Sequence, residues 1–323
     1  MPLNLIAGAD DSGRRLDRVL RKALRQTPLS AIHRMLRQGL VLVDGRKAGP
    51  DRRVLAGETI TVPITEGVSN KQFASNGEKP PLYIPEILFE GSGLLILNKP
   101  AGLSVHGRES IDTMVQSYLV PKLRPSLSFK PGPLHRLDRP SSGILVFSTG
   151  LEGARRFSAM MREGKIKKQY LAVVEGYIED AELWKDELFR DEKVKKTFTG
   201  NSDENNSHHA KEKTALTRVK ALVGNKDHSL VLFEIETGRT HQIRAQAASR
   251  GHPLFGDKKY GGGPLSGGFL LHAWRLYLPP PFPPMVEAPL PENFKNKIKK
   301  LFGVDWGIGI REWGMGNMCN NYA

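Results

Sequence analysis

HRLDRPSSGILVF, residues 135–147, sets one carboxylate, Asp138, between Arg136 and Arg139, just ahead of an apolar run that reads as a buried strand. Pro131, Pro133 and Pro140 stiffen the flanks, and Ser141, Ser142 and Gly143 allow a tight turn with close backbone approach. A carboxylate so placed stands on rigid scaffold rather than on a free loop. Taken alone, the pattern leaves three roles open for Asp138: a structural ion pair, a nucleophile, or a base. His135 is assigned to packing and hydrogen bonding, because no role here needs a second base.

Working outward, short apolar runs and helical patterns interleave from about residue 81 to 302. YIPEILFEG and LLILNKPAG read as strands, followed by helices over 111–121 and 151–162. Strands are expected around 169–176, 214–223 and 229–237, with a helix around 241–250. The absence of a regular βαβ period predicts an α+β fold with a mixed, mostly antiparallel sheet and flanking helices. Residues 191–213 are polar and read as a loop or mobile insertion. His208 and His209 fall inside that stretch, with no further ligand-type residue at a recognised spacing, so no metal is expected there.

A second unit occupies residues 12–65. Leu16, Val19, Leu20, Ala23 and Leu24 recur at helical spacing, with Arg14, Arg18, Arg21 and Arg25 on the opposite face. A shorter helix fits Ala31 to Gln38, with Ser30 to cap its start, Gly39 to end it, and Arg34 and Arg37 facing outward. LVLVDGRKA then predicts a strand that turns at Asp44-Gly45, and ETITVPI another strand. Residues 12–63 carry twelve Lys and Arg against four Asp and Glu, a density that suits RNA phosphates better than an ordinary solvated face. Residues 66–80 are polar and turn-rich and read as a linker; 303–323 are a Gly- and Asn-rich tail of no assigned role.

The whole chain has 323 residues, which suggests two domains, and a net charge of +14, which predicts attraction to polyanions. Its single cysteine, Cys319, makes neither an intramolecular disulfide nor a zinc cluster. The N-terminus lacks the pattern of a signal peptide, and no apolar run approaches the ~20 residues of a membrane span. A cytoplasmic monomer with no membrane partner is expected. No phosphate-binding glycine pattern is present, so no nucleotide cofactor is expected.

HRLDRPSSGILVF resembles the HRLD-x-x-T/S-S-G signature of the RluA family of RNA pseudouridine synthases. KKQYLAVVEG (167–176) is similar to that family's K-x-Y-x-A-x-V-x-G strand, and LLILNKPAGLSVH (94–106) to its early NKP strand and turn. LFEIETGRTHQIRAQAASRGHPLFGDKKYGG (232–262) resembles the TGR-x-HQIR segment with its GHP-x-x-GD-x-x-Y continuation, and LLHAWRLYL (270–278) a late LHA segment. Five matches in order are far more specific than one four-residue motif. The unit at 12–65 resembles the S4-type RNA-binding domain, in which two helices pack on a small curved sheet. One departure is Pro140, followed by Ser141 where threonine is common.

The resemblance implies a pseudouridine synthase domain over 81–302 and, position by position, a set of roles. Asp138 falls on the catalytic aspartate. Tyr170 falls on the tyrosine that lies against the target base and is a candidate for proton abstraction. Arg244 falls on the basic partner of the aspartate, and Arg136 on an arginine near a flipped-out nucleotide. Read from their own neighbourhoods, Tyr170 could also be a plain strand tyrosine, Arg136 a surface pair, and Arg244 a partner of Glu234 or Glu236. His241 is assigned to packing. Isomerising uridine breaks a nitrogen–carbon glycosidic bond and remakes it through a ring carbon, so no metal, redox or nucleotide cofactor is implied. Whether the carboxylate attacks the anomeric carbon or removes a neighbouring ribose proton stays open. Large-subunit ribosomal RNA is the expected substrate, gripped through Arg14, Arg18, Arg21, Arg34 and Arg37, with transfer RNA the alternative. A non-catalytic RNA-binding factor would not need Asp138, Tyr170 and Arg244 together, and a retaining glycosidase would need a second carboxylate.

Overall fold

The computed structural model describes residues 2–63, 83–119, 121–123, 126–179, 181–200 and 213–307. Strands β1 (Leu3–Ile6), β2 (Leu42–Val43), β3 (Arg46–Lys47) and β4 (Thr59–Val62) form an antiparallel sheet in the order β1-β4-β2-β3. Helices α1 (Leu16–Ala23) and α2 (Leu29–Arg37) bury Leu16, Val19, Leu20, Ile32, Met35 and Leu36 in one core with Leu5, Val43, Ile60 and Val62. Asp44 and Gly45, with φ of 48° and 75°, make the expected two-residue turn between β2 and β3.

The structure differs from the sequence reading here in three respects. β1 lies ahead of residue 12, where the unit was expected to begin; Leu3 and Leu5 point into the core while Asn4 and Ile6 face out, and four residues of alternation are a weak signal. α2 starts at Leu29 with Pro28 at its N-cap, so Ser30 lies within the helix and does not cap it. Arg14 precedes α1 and is half-buried, its guanidinium donating to the Ser128 hydroxyl at 2.8 Å and carbonyl at 3.1 Å, so it does not belong to the open basic stripe. Arg18, Arg21, Arg34 and Arg37 are exposed.

The larger sheet runs β11-β10-β12-β13-β9-β14-β8-β6-β5, with β15 beside β14 and β7 beside β8. Its strands are β5 (Ile87–Gly91), β6 (Leu94–Lys99), β7 (Gly132–Pro133), β8 (Ser142–Ser148), β9 (Lys167–Glu175), β10 (Glu182–Asp191), β11 (Lys196–Thr199), β12 (Lys213–Gly224), β13 (His228–Ile235), β14 (Leu271–Tyr277) and β15 (Met285–Glu287). Helices α3 (Ile111–Leu119), α4 (Leu151–Arg162), α5 (Gln242–Ser249) and α6 (Glu292–Phe302) flank it. Both faces are covered. Along β9, Tyr170, Ala172 and Val174 join the core that contains Phe157 of α4 and Ile243 of α5, while Leu171 and Val173 join the one with Phe294 and Ile298 of α6. Double coverage explains why the central strands read as unbroken apolar runs.

Among the described strands every pairing is antiparallel except β14 with β8, which meet in parallel at His272–Ser142 and Ala273–Gly143. The HRLD loop enters the sheet at that seam. Gly143 has φ of 101°, and a Cβ there would lie 2.2 Å from the Ala273 carbonyl oxygen, so the approach needs glycine. Beside it, His272 Nε2 donates to the Ala288 carbonyl at 3.1 Å, which leaves Nδ1 to accept from the Ser142 hydroxyl at 2.8 Å.

The polar stretch 191–213 is not all loop: Lys196–Thr199 forms β11, paired with β10 from Leu188 to Asp191. Only alternate residues of this edge strand need burial, and Thr197 fills that role, so no apolar pattern announces it. β10 and α6 likewise have no counterpart in the sequence reading. The expected linker at 66–80, His208 and His209, and the tail beyond 307 lie outside the described residues. Of the tail, Trp306 packs edge-on against Trp274 at 5.5 Å. Among the described residues no helix is long and apolar enough to cross a membrane.

Burial pushes the pKa of His272, which is fully enclosed, from 6.5 down to about 4. The unfolded chain therefore binds this proton first, and the stability tied to the neutral ring is complete above pH 6.5 and lost as pH falls towards 4. The full contribution is on the order of 3 kcal/mol. Urea unfolding at pH 7.5 and 5 should show the wild type losing stability on acidification, and His272→Asn losing distinctly less over the same interval.

Candidate active site

Three segments distant in sequence supply the site: the loop before β8, the middle of β9, and the first turns of α5. Asp138 ends the HRLD turn, with Ser141 N–H donating to its carbonyl at 3.1 Å. Beneath this loop lies Lys99, fully buried at the end of β6, whose ammonium donates to the carbonyls of Ser141 at 2.7 Å, Pro100 at 2.9 Å and Arg139 at 3.3 Å. Burial lowers the Lys99 pKa to about 8, against an upward pull from the charge of Asp138. Arg139 closes the other side: its guanidinium donates to the Gly102 carbonyl at 2.8 Å and its own carbonyl accepts from Gly102 N–H at 2.8 Å. The two arginines that flank Asp138 in sequence thus part company. Arg139 staples the NKPAG turn, and Arg136 stands exposed at the cleft.

Arg244 reaches the Asp138 carboxylate from α5, Nη1 donating to Oδ2 at 2.7 Å. The remaining edge of the guanidinium grips Asp257 bidentately, Nε to Oδ2 at 2.6 Å and Nη2 to Oδ1 at 2.9 Å. The side chains of Arg244 and Asp257 are 7% and 1% exposed, and that of Asp138 18%. The guanidinium carbon also lies 4.4 Å from the Phe269 ring centre and 4.8 Å from that of Tyr260. Burial would lower the Arg244 pKa, but pairing with Asp257 and then with Asp138 more than offsets it, so the net direction is up. Neither Glu234 nor Glu236 is its partner: Glu234 accepts from Gln169 and Glu236 from Arg218.

The TGRTHQIR segment folds so that α5 can aim Arg244. Gln242 Oε1 accepts from Thr237 Oγ1 at 2.8 Å and Arg239 N–H at 3.0 Å, tying the preceding turn to the helix start. His241, at the N-cap with φ of 56°, turns its ring into the site. Nδ1 bonds the Tyr260 hydroxyl at 2.9 Å, while Nε2 stands 3.7 Å from Asp138 Oδ1, beyond hydrogen-bond range. Burial carries its pKa down to about 4 against the pull of Asp138, so at neutral pH the ring is uncharged and no ion pair forms. The packing role expected for His241 is therefore incomplete, for it borders the open oxygen of Asp138. For His135 the expectation holds: Nε2 accepts from Val146 N–H at 3.1 Å and the ring stacks on Phe157.

Tyr170, registered against Phe233 on one side and Ala273 on the other, is buried at the floor of the same cleft. Burial, and secondarily the charge of Asp138, push its phenol well above the ordinary value. It is a protonated ring at neutral pH, suited to stacking and to hydrogen-bond donation rather than to standing as a phenolate base. The cleft holds about 80 Å³ and is lined by Asp138, Tyr170, Arg244, Arg136 and Arg239 among others. Arg136 and Arg239 also line a neighbouring trough of about 600 Å³, to which the β10–β11 hairpin and the start of β12 bring Phe189, Arg190, Glu192 and Lys213. Four cations against one carboxylate make this trough an anion seat beside the Asp138 cleft. Lys99, His241, Gln242, Asp257 and Tyr260 all sit inside the quoted motifs, but nothing in their spacing distinguishes them.

Such a site, a carboxylate held by a buried arginine beside a cationic trough, suits chemistry on a polyanionic substrate. Residues 93–249 match the RNA pseudouridylate synthase model and residues 14–60 the S4 domain model. The chain belongs to the RNA pseudouridylate synthase family, isomerases that convert uridine in RNA to pseudouridine. It is 31% identical over 306 residues to the ribosomal large subunit pseudouridine synthase C of Buchnera aphidicola subsp. Schizaphis graminum, covering 90% of this chain and 95% of that one. To the protein of the same name from Escherichia coli K12 it is 32% identical over 314 residues, 91% and 94% of the two chains. In fold it is similar to the human RNA pseudouridylate synthase domain containing 4, with a TM-score of 0.54 at 22% identity over 67% of this chain and 92% of that one.

Asp257 does not line the cleft, so its effect on turnover should run through Arg244. Asp257→Asn is expected to lower kcat by roughly tenfold to a hundredfold through misplacement of that guanidinium, with RNA affinity held within about twofold. Turnover followed by loss of the uridine C5 hydrogen, beside a filter-binding Kd, separates the two quantities.

Proposed function

We propose that the protein isomerises uridines of large-subunit ribosomal RNA, with Asp138 as the catalytic carboxylate. The observation that carries this reading is the one-sided Asp138–Arg244 pair at the mouth of a cleft that opens on a cationic trough. Arg244 occupies Oδ2 and leaves Oδ1 open towards the cleft. In the reaction the N1–C1′ bond breaks, the uracil turns, C5 bonds to C1′, the C5 proton leaves and N1 regains a proton. Asp138 acts at the sugar, by attack at C1′ or removal of the C2′ proton. Tyr170 stacks on the base, and its hydroxyl lies within the route by which the C5 proton departs. The substrate class is supported by the names of the relatives, ribosomal large subunit pseudouridine synthases.

The base must leave its stack to reach a cleft of this size, at a cost of a few kcal/mol. Arg136, exposed and shared by the cleft and the trough, is suited to hold the extruded nucleotide's phosphate. The trough continues that contact along the strand, and the arginines Arg18, Arg21, Arg34 and Arg37 extend the grip to structured RNA. We place the functional division at an RNA-binding unit up to about 65, a connector over 66–80 and a catalytic domain to 302.

Asp138→Asn should reduce pseudouridine formation by roughly three orders of magnitude or more, with RNA affinity within a few fold. Retained turnover would remove Asp138 from the chemistry. Mapping pseudouridines in ribosomal and transfer RNA from cells with and without the protein identifies the substrate; loss confined to transfer RNA would overturn the ribosomal assignment. In the trough, joint replacement of Arg190 and Lys213 by alanine should weaken RNA binding and flatten the slope of log K against log salt by roughly 0.7–0.9 for each phosphate that is no longer neutralised.

A further inference from the structure

The two units are joined by more than a connector. Asp11, in the single turn of 3-10 helix at Ala9–Asp11, is fully buried, and its carboxylate collects five donors. One comes from its own unit, Gly8 N–H at 2.8 Å. The other four come from the segment between α3 and β7 of the larger domain: Ser126 Oγ at 2.9 Å, Leu127 N–H at 2.8 Å, Ser128 N–H at 2.9 Å, and the Ser128 hydroxyl. Arg14 answers from the same side by donating to Ser128. Leu127, between the two serines, packs onto the hydrophobic core of the N-terminal unit. The preceding residue, Asp10, reaches a different element: its Oδ1 accepts Leu151 N–H at 2.8 Å. Helix α4 has Gly150 at its N-cap and no capping side chain of its own, so the other unit supplies the missing carboxylate.

We infer that Asp11, with Asp10, is a positioning residue that locks the RNA-binding unit at one fixed orientation to the Asp138 cleft, and that this fixed register helps select which uridine is modified. The inference rests on the proposed function and adds to it. A module held by a flexible connector searches many orientations and raises only the local concentration of RNA; a docked module presents the bound RNA at one offset. Two carboxylates on consecutive residues seize two separate elements, and a polar latch with all its donors satisfied is geometrically exacting in a way that an apolar contact is not. The docked face also brings basic residues of the two units together, since Arg18 and Arg155 both act on Arg14 electrostatically. Because Arg18 lies on α1 and Arg155 on α4, docking makes a single cationic surface from two domains.

The test uses the full chain carrying Cys319→Ser, with spin labels at Leu55→Cys and Lys165→Cys, both exposed and outside the site. Without RNA, one narrow distance distribution is expected, broadening in Asp11→Ala. The double variant Ser126→Ala, Ser128→Ala changes nothing inside the N-terminal unit and should broaden it too, which guards against misfolding of that unit. A broad distribution in the parent, or a narrow one in both variants, overturns the latch. Activity then tests the register. On a stem-loop too short to reach the N-terminal unit, both variants should keep kcat/KM within about twofold, while on long structured RNA it should fall roughly tenfold or more, chiefly in KM, with uridines beyond the normal site becoming modified. Equal loss on both RNAs, or unchanged site choice on the long one, overturns the positioning role. Parent activity on the stem-loop reads the proposed function separately, for its absence would count against Asp138 chemistry and not against the latch.

Discussion

A guanidinium shared between two carboxylates is the interaction on which the site depends. Arg244 is almost wholly removed from water, and an arginine in that position is tolerated only when its donors are met. Asp257 meets two of them in a bidentate grip and is itself buried, so the pair forms a rigid bracket rather than a mobile ion pair. Of the three N–H groups that remain, one on Nη1 is directed at one oxygen of Asp138. That asymmetry matters for catalysis. A bidentate clamp on Asp138 would orient it but occupy both oxygens; a single bond orients it and leaves the other free. Tyr260 and Phe269 on the guanidinium, with His241 on the Tyr260 hydroxyl, fix the bracket in place.

The carboxylate end is held just as firmly by the sheet. β8 joins the sheet in parallel with β14 at the point where the HRLD loop ends, and Gly143 permits an approach to Ala273 that no other residue would. Behind the loop, Lys99 spends its three donors on backbone carbonyls at and beside the turn. The ammonium thus serves as an internal brace whose charge also faces Asp138. Two positive groups flank the carboxylate from beneath and behind, while neutral His241 and protonated Tyr170 line the open side. Charge is placed to position the carboxylate, and uncharged rings line the cleft beside it.

Much of this is legible in the residues. Asp138, Tyr170 and Arg244 lie on three separate motifs, and the structure brings all three to one cleft. Element types are readable wherever the period is strong, as in the helix from Leu16 and the apolar run of β8. What escapes depends on tertiary context. β11 has the composition of a loop because only Thr197 of its residues is buried. Arg14 matches the helical spacing of its neighbours, yet it precedes the helix and turns to Ser128. Asp257 cannot be told from any other aspartate until its distance to Arg244 is known, and Arg139 resembles a partner for Asp138 until its side chain is found on Gly102. Hydrogen bonds across 114 to 117 residues, such as those of Arg14 and Asp11 with Ser128, have no local signature at all.

The distribution of charge ties these observations together. A chain with net charge +14 is built to gather RNA, but two strongly basic units pressed face to face would repel one another. Arg14 shows the conflict directly. Burial first, then Arg155 and Arg18, push its pKa down, while Asp11 and Asp10 pull it back up. The acidic pair therefore offsets, through its field, part of what burial and the neighbouring arginines cost Arg14, whose guanidinium bonds the same Ser128 that donates to Asp11. Excess positive charge is left on the outer surfaces and in the trough, while Asp11 and Asp257 are buried at the domain junction and beside Arg244. A protein with the same net charge but without those internal acids would still bind RNA; it would lack a fixed relation between where the RNA is held and where the sugar–base bond is broken.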